Sequence, residues 1–138
     1  MKQRFAHRMR VRFADTDAQG HMFFANYLTF CDEALTGYVR AIGCPYDRLI
    51  ENGVDMFYVS AKCDYKGRAK FEDELAIHTR IARVGNTSFS SECYIYNGDE
   101  LVAEAQLTSV CVDTKTGDTV RVPAVLRQAV AAYEGAAA

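Results

Sequence analysis

Apolar and polar residues alternate in some stretches of this chain and recur at three- and four-residue steps in others. From Arg8 to Phe13 they alternate, with Met9, Val11 and Phe13 on one side and Arg8, Arg10 and Arg12 on the other. That predicts a half-buried strand. The polar stretch Ala14 to Gly20 predicts a loop. A helical period follows: Phe24, Tyr27, Leu28, Cys31, Leu35, Tyr38, Val39 and Ile42 form an apolar stripe, with Asn26, Thr29, Asp32, Glu33 and Arg40 opposite. Gly43 and Pro45 stop this helix, and Pro45 opens a short second one that Gly53 ends.

Four strand patterns come next. Phe57, Val59, Ala61, Cys63 and Tyr65 share one face of the first, and Leu75, Ile77, Thr79 and Ile81 one face of the second. After a turn at Gly85-Asn86, Phe89, Ser91, Cys93 and Ile95 share a face of the third. Leu101, Ala103, Ala105, Leu107 and Cys111 share a face of the fourth. Asn97-Gly98 predicts a type I′ hairpin between the last two. The turn Thr114 to Asp118 leads to a short strand through Val122, and Pro123 opens a terminal helix. Strands joined by short turns form a mostly antiparallel sheet. The long amphipathic helix is available to cover its apolar face. The pattern therefore predicts an α+β domain, and no function.

The chain has 138 residues, 49% of them apolar and 25% charged, with a net charge of −2. This is ordinary for one soluble domain, expected to span residues 1–138. No global basic field draws nucleic acid or an anionic membrane to it. Five cysteines, with no Cys-x-x-Cys pair, argue against a disulfide framework and a zinc ribbon. Reduced thiols, no leader-like N-terminus and no membrane-spanning run predict a cytoplasmic location. The tail Ala136 to Ala138 is expected to fray. No metal or cofactor is expected.

One segment carries chemistry: Asp15-Thr16-Asp17-Ala18-Gln19-Gly20-His21-Met22-Phe23-Phe24-Ala25-Asn26-Tyr27. Two carboxylates and an imidazole precede a helix start, where unpaired N–H groups and the positive dipole end can polarise a carbonyl. A nearby carboxylate can then act as base or nucleophile. Taken alone, Asp15 and Asp17 read more simply as helix caps, and His21 as a packed loop histidine. By the same measure, Phe23, Phe24, Tyr27 and Phe30 read more simply as core.

Residues 11–35 resemble the active-site segment of the 4-hydroxybenzoyl-CoA thioesterase family of hotdog proteins. That family carries an Asp-x-Asp-x-x-Gly loop, an apolar or aromatic stretch, then Asn-Tyr opening the central helix. The resemblance implies a hotdog fold, with an antiparallel sheet wrapped around the helix Phe24–Ile42. It also implies hydrolysis of an acyl-CoA thioester without a cofactor. Asp17 matches the family's catalytic carboxylate, and Phe24 the position of its carbonyl-polarising backbone N–H. His21 stands where the benzoyl-CoA enzymes carry an apolar residue, which weakens a claim for a hydroxybenzoyl substrate; it is retained as a possible acid–base group. The resemblance implies a homodimer or homotetramer with the active site between subunits. A non-catalytic acyl-CoA-binding protein on the same scaffold is the alternative.

Phe23, Phe24 and Tyr27, with Phe57 and Tyr58 at the opening of the next strand, are candidates for the acyl pocket. For the CoA phosphates, Lys66-Gly67-Arg68-Ala69-Lys70 puts three cations in five residues. The arginine stripe Arg8, Arg10 and Arg12 is the competing site, and simple solvation of the turn is the plain alternative.

Overall fold

The computed structural model describes residues 2–135, so the expected fraying of Ala136–Ala138 lies outside the described residues. Strand β1 (Ala6–Arg10) is followed by a 3-10 turn (Phe13–Asp15). Helix α1 (Asn26–Ala41) and the short helix α2 (Tyr46–Glu51) come next. Strands β2 (Val54–Tyr65), β3 (Glu74–Val84), β4 (Ser88–Asn97) and β5 (Glu100–Asp113) then run to the last helix, α3 (Ala124–Glu134). The strands form one sheet in the order β1-β3-β4-β5-β2, every neighbouring pair antiparallel.

Strands β3, β4 and β5 follow their alternation as expected. Leu75, Ile77, Thr79 and Ile81 are buried, as are Phe89, Ser91, Cys93 and Ile95, and Ala103, Ala105, Leu107 and Cys111. Against this face lies α1, which buries Tyr27, Phe30, Cys31, Ala34, Leu35, Tyr38 and Val39. Each large apolar side chain moved out of water there contributes about 1.5–3 kcal/mol. Between helix and sheet the thiols of Cys31 and Cys93 meet. The hydrogen bond to Cys93, together with burial, pushes the Cys31 thiol up. Helix α3 packs on the same side, where the Tyr38 hydroxyl donates to Glu134 at 2.5 Å.

Four expectations are corrected. First, β1 ends at Arg10, not Phe13. Val11 is fully buried, but the chain tightens into the 3-10 turn and leaves Phe13 77% exposed against Phe71. Second, β2 begins at Val54, and its pairing with β5 shifts between Tyr58 and Ser60. Val59 is the extra residue. A bulge of this kind reverses which side chains face the core. Tyr58 and Met56 therefore lie opposite the buried Ser109 and Cys111, whereas Phe57 lies opposite Val110 and away from Ala61 and Cys63. Third, the β4–β5 hairpin turns on Gly98-Asp99, since Asn97 already pairs with Glu100. Only Gly98 of the two has positive φ, 62°, which fits a II′ turn rather than I′. Fourth, the segment before Pro123 makes a single bridge, Val112 to Thr119, instead of a strand.

Two links hold the loops around the start of α1. The loop from Lys66 to Asp73 is bound through Ala69. Its carbonyl accepts from Met22 N–H at 2.7 Å, and its N–H donates to the Tyr27 hydroxyl at 3.1 Å. The 3-10 turn is held by Asp15, whose carboxylate accepts from Arg12 N–H (2.8 Å), Nε (3.1 Å) and Nη2 (2.9 Å). The Arg12 hydrogen bonds hold the Asp15 carboxyl below its ordinary range, outweighing burial.

Tyr27→Phe keeps the ring but leaves the buried Ala69 N–H without an acceptor, so denaturant unfolding should show a loss of about 1–3 kcal/mol. Asp15→Asn should cost about 1–2 kcal/mol at neutral pH. A carboxyl whose pKa is lowered by folding stabilises above its unfolded pKa, and that contribution disappears as pH falls through the folded value. The gap in melting temperature between wild type and Asp15→Asn should therefore close on acidification below about pH 4.

Candidate active site

The candidate segment folds back on itself before entering α1. Asp17 N–H donates to His21 O at 3.1 Å, Gly20 N–H to Asp17 O at 3.0 Å, and Thr16 bridges Met22. Gly20 sits at φ +85°, a backbone region that disfavours a side chain. The carbonyl of Asp15 then fastens the loop to the helix entrance. It accepts from Phe23 N–H at 2.9 Å and from the Asn26 side-chain amide at 3.0 Å. Asp15 is thus fully engaged in structure through both carboxylate and carbonyl. Asp17 is half-buried, and one of its oxygens accepts from Gln19 N–H at 2.8 Å. The other carboxylate oxygen accepts no hydrogen bond among the described residues.

The start of α1 lacks a side-chain cap, because the N-cap residue is Ala25. Phe24, just before it, is 63% exposed, and its N–H makes no hydrogen bond among the described residues. Its carbonyl accepts from the Tyr65 hydroxyl at 2.9 Å, while the Tyr65 ring meets Tyr27 edge-on at 5.2 Å. Burial, with a smaller contribution from Cys63, pushes the Tyr65 phenol up to about 12. It therefore stays protonated and donates to that carbonyl. A cleft of about 350 Å³ opens here, lined by His21, Met22, Phe24, Tyr27, Tyr65 and the residues 66–68. His21 Nδ1 lies 3.2 Å from Met22 O. A neutral ring making that bond carries its proton on Nδ1 and keeps Nε2 as an acceptor.

The tertiary fold therefore brings together, on one cleft, Phe24, His21, Tyr27, Lys66 and Arg68. Asp17 lies on the loop that forms the cleft's edge and is not among the lining residues. Phe23 stacks edge-on with Phe24 at 4.9 Å. Both are exposed, so the aromatic cluster divides: Tyr27 and Phe30 are core, and Phe23 and Phe24 are not. Lys66 lies 3.9 Å from Glu104, and a side chain at Gly67 would meet Glu100 Oε2 at 2.5 Å. That oxygen ends a flexible, exposed side chain, which can move aside. Arg68 and Lys70 have no ion-pair partner among the described residues.

Phe57 and Tyr58 lie elsewhere. Phe57 is on the far face of the sheet edge. Tyr58 lines a second groove of about 310 Å³ between α1 and β2, with Leu35, Val39, Met56 and Phe89 among its walls. The Tyr58 hydroxyl donates to Asp32 Oδ1 at 2.7 Å there; burial and then that bond push the phenol up. Sequence reading placed Asp32 on the polar side of the helix and missed this groove. The signal available was a carboxylate one turn before the buried Leu35, but its partner is 26 residues away.

Comparison with known proteins identifies the family and the fold. A putative esterase of Aquifex aeolicus is 30% identical over 119 residues, 86% of this chain and 91% of that protein. The acyl-CoA thioesterase YbgC of Haemophilus influenzae is 30% identical over 110 residues, 79% of this chain and 81% of its own. The solved structure of a gentisyl-coenzyme A thioesterase superposes with a TM-score of 0.82 at 28% identity, covering 92% of this chain and 99% of that one. The fold is that of the hotdog thioesterases, with the sheet packed around α1. A family model matches residues 11–130, from the buried Val11 through the loop, the cleft and the sheet to helix α3, and the chain belongs to the thioesterase-like superfamily.

Proposed function

We propose that this chain hydrolyses an acyl-CoA thioester to a free carboxylic acid and CoA, with Asp17 as its catalytic carboxylate. The observation that carries this reading is the uncapped start of α1. Just before it, the Phe24 N–H makes no hydrogen bond among the described residues, and Phe24 lines a cleft at whose edge runs the loop that holds Asp17. A thioester carbonyl oxygen placed there accepts that N–H, and the helix dipole stabilises the negative charge that develops on it.

Two routes complete the reaction. In one, an Asp17 oxygen attacks the carbonyl carbon and the C–S bond breaks. CoA leaves as thiolate, and water then cleaves the resulting anhydride. In the other, Asp17 takes a proton from a water that attacks directly, and that proton goes to the departing sulfur. His21, which lines the cleft, is the candidate to relay that proton from Asp17 to the sulfur. Phe24 presents a flat ring at the cleft, backed edge-on by Phe23, which favours an aromatic or short-to-medium acyl group. A relative named for gentisyl-CoA is consistent with that choice.

The same proposal includes a second copy of the chain. Strand β2 has 12 residues and pairs only with β5, so one edge offers a row of free N–H and C=O groups. Residues 57–62 are all exposed, Phe57, Tyr58 and Val59 among them. Antiparallel pairing of two such edges would cover them, and a tetramer would require a further face. A cytoplasmic location belongs to this reading as well, supported by five free cysteines. Among the described residues no helix is long and apolar enough to cross a membrane.

Asp17→Asn keeps the size and removes the charge. Turnover should fall by about 10²–10⁴ with the melting temperature retained; near-wild-type hydrolysis by a folded variant would rule out the mechanism. Asp15→Asn should instead lose stability while its folded fraction keeps its turnover. Thiol release from a panel of acyl-CoAs should be fastest on aromatic or short-to-medium thioesters. Best activity on palmitoyl-CoA would contradict the pocket assignment, and tight binding without thiol release would mark a non-catalytic binder.

A further inference from the structure

A second polar cleft lies at the opposite end of β2 from the candidate active site. It has a volume of about 450 Å³ and is lined by Asn52, Gly53, Val54, Asp113, Lys115 and Arg121, among others. Lys115 and Arg121 are exposed, and neither makes an ion pair among the described residues. Arg121 reaches only the neutral Asn86 amide, at 3.3 Å. The carboxylate that shares the cleft makes no ion pair with either cation among the described residues, although Lys115 lies near enough to act on it through space. Asp113 Oδ1 accepts from the N–H groups of Lys115 and Thr116 at 2.8 and 2.9 Å, and those bonds hold its pKa down. The cleft therefore presents two exposed cations, neither held in an ion pair among the described residues, with Lys115 alone feeling the Asp113 charge. The reaction proposed above uses neither.

The position of this cleft becomes informative when two copies pair. The exposed run Phe57–Lys62 and the whole strand Val54–Tyr65 share the same midpoint. A two-fold axis through that midpoint, normal to the sheet, is the isologous arrangement that covers the run. It sets Tyr65 opposite Val54 of the partner subunit, about 5 Å away across the strand pair. It also keeps both helices on one side of the joined sheet. Tyr65 and Lys66 line the active-site cleft. The partner's Val54 lines the basic cleft. Two clefts far apart in one chain thus become neighbours across the interface.

We infer that the nucleotide phosphates of CoA lie between the Arg68 turn of one subunit and the basic cleft of the other, gripped by Lys115 of the partner subunit and Arg121 of the partner subunit. This rests on the acyl-CoA reading and on the dimer it includes. The chemistry is direct. The phosphates sit at the far end of the pantetheine arm, well past the carbonyl at Phe24. Phosphate oxygens suit a lysine point charge and an arginine fork. Lys66 is already drawn to Glu104 in its own subunit, which leaves the near turn short of charge for several phosphate groups.

The test separates the two clefts and the two subunits. CoA and pantetheine are titrated against the full-length protein by calorimetry. The Lys115→Ala/Arg121→Ala double variant should bind CoA roughly tenfold or more weakly and pantetheine unchanged. The CoA defect should shrink at high salt. Lys115→Ala alone, on an exposed turn, is the check should the double variant melt early; it should show a smaller defect of the same kind. Unchanged CoA binding in both overturns the inference, even where the wild type hydrolyses acyl-CoA normally. Mixed dimers then assign the subunit. A chain carrying Asp17→Asn with intact cations is paired with one carrying intact Asp17 and the double substitution. The single complete site should show wild-type KM for benzoyl-CoA at about half the wild-type kcat. A raised KM means each site uses its own subunit's cations, and the inference falls. Absence of any acyl-CoA hydrolysis by the wild type would remove the function proposed above, and the calorimetry would still decide the cations.

Discussion

The burial of one stripe of α1 against one face of the sheet determines where everything else can go. The stripe runs from Tyr27 to Val39, so the first turn of the helix must emerge where the loops after β1 and β2 converge. A helix start leaves N–H groups without intrahelical partners. A serine, threonine or aspartate cap would normally satisfy one and add about 0.5–2 kcal/mol. Here the position is Ala25, and no side chain takes the role. The omission costs stability locally, and just before Ala25 the Phe24 N–H makes no hydrogen bond among the described residues.

Two aspartates stand two residues apart and have different environments. Asp15 is buried and saturated by Arg12, and its carbonyl fastens the helix entrance. Asp17 is half-buried and holds a single backbone bond through its side chain. Chemistry requires a carboxylate that can still change partners, and a carboxylate tied by three donors cannot. The structural aspartate thus holds the loop in the shape that frees the other one. The link through Ala69 does the same from the opposite side, tying the Lys66–Asp73 loop to both Met22 and Tyr27.

The sheet adds a second constraint through its edge. The bulge at Val59 turns the two halves of β2 in different senses, so Tyr58 faces the helix and Phe57 does not. It also leaves six consecutive exposed residues on an edge whose backbone is unpaired. A monomer with such an edge invites strand pairing. The two clefts at its ends acquire a shared purpose only if that pairing occurs.

The chain's own pattern was enough for the α+β architecture, the order of its elements and the core faces of β3, β4 and β5. Those follow from periodicity, which is a local property. The break in periodicity from Ala14 to Gly20 marked the loop before the helix, and a resemblance across Asp15 to Tyr27 pointed to thioester chemistry. What it did not contain was the bulge at Val59, the end of β1 before Phe13 and the II′ turn at Gly98-Asp99. Each depends on register against another strand, which no window of sequence records. The different surroundings of Asp15 and Asp17 likewise needed the fold, because Arg12, Gln19 and the helix entrance had to be placed around them. The groove that joins Asp32 to Tyr58, and the gathering of His21, Phe24 and Arg68 on one cleft, were decided by tertiary structure alone. The reason is physical: a side chain's environment is made by residues distant in the chain, and only folding brings them into contact.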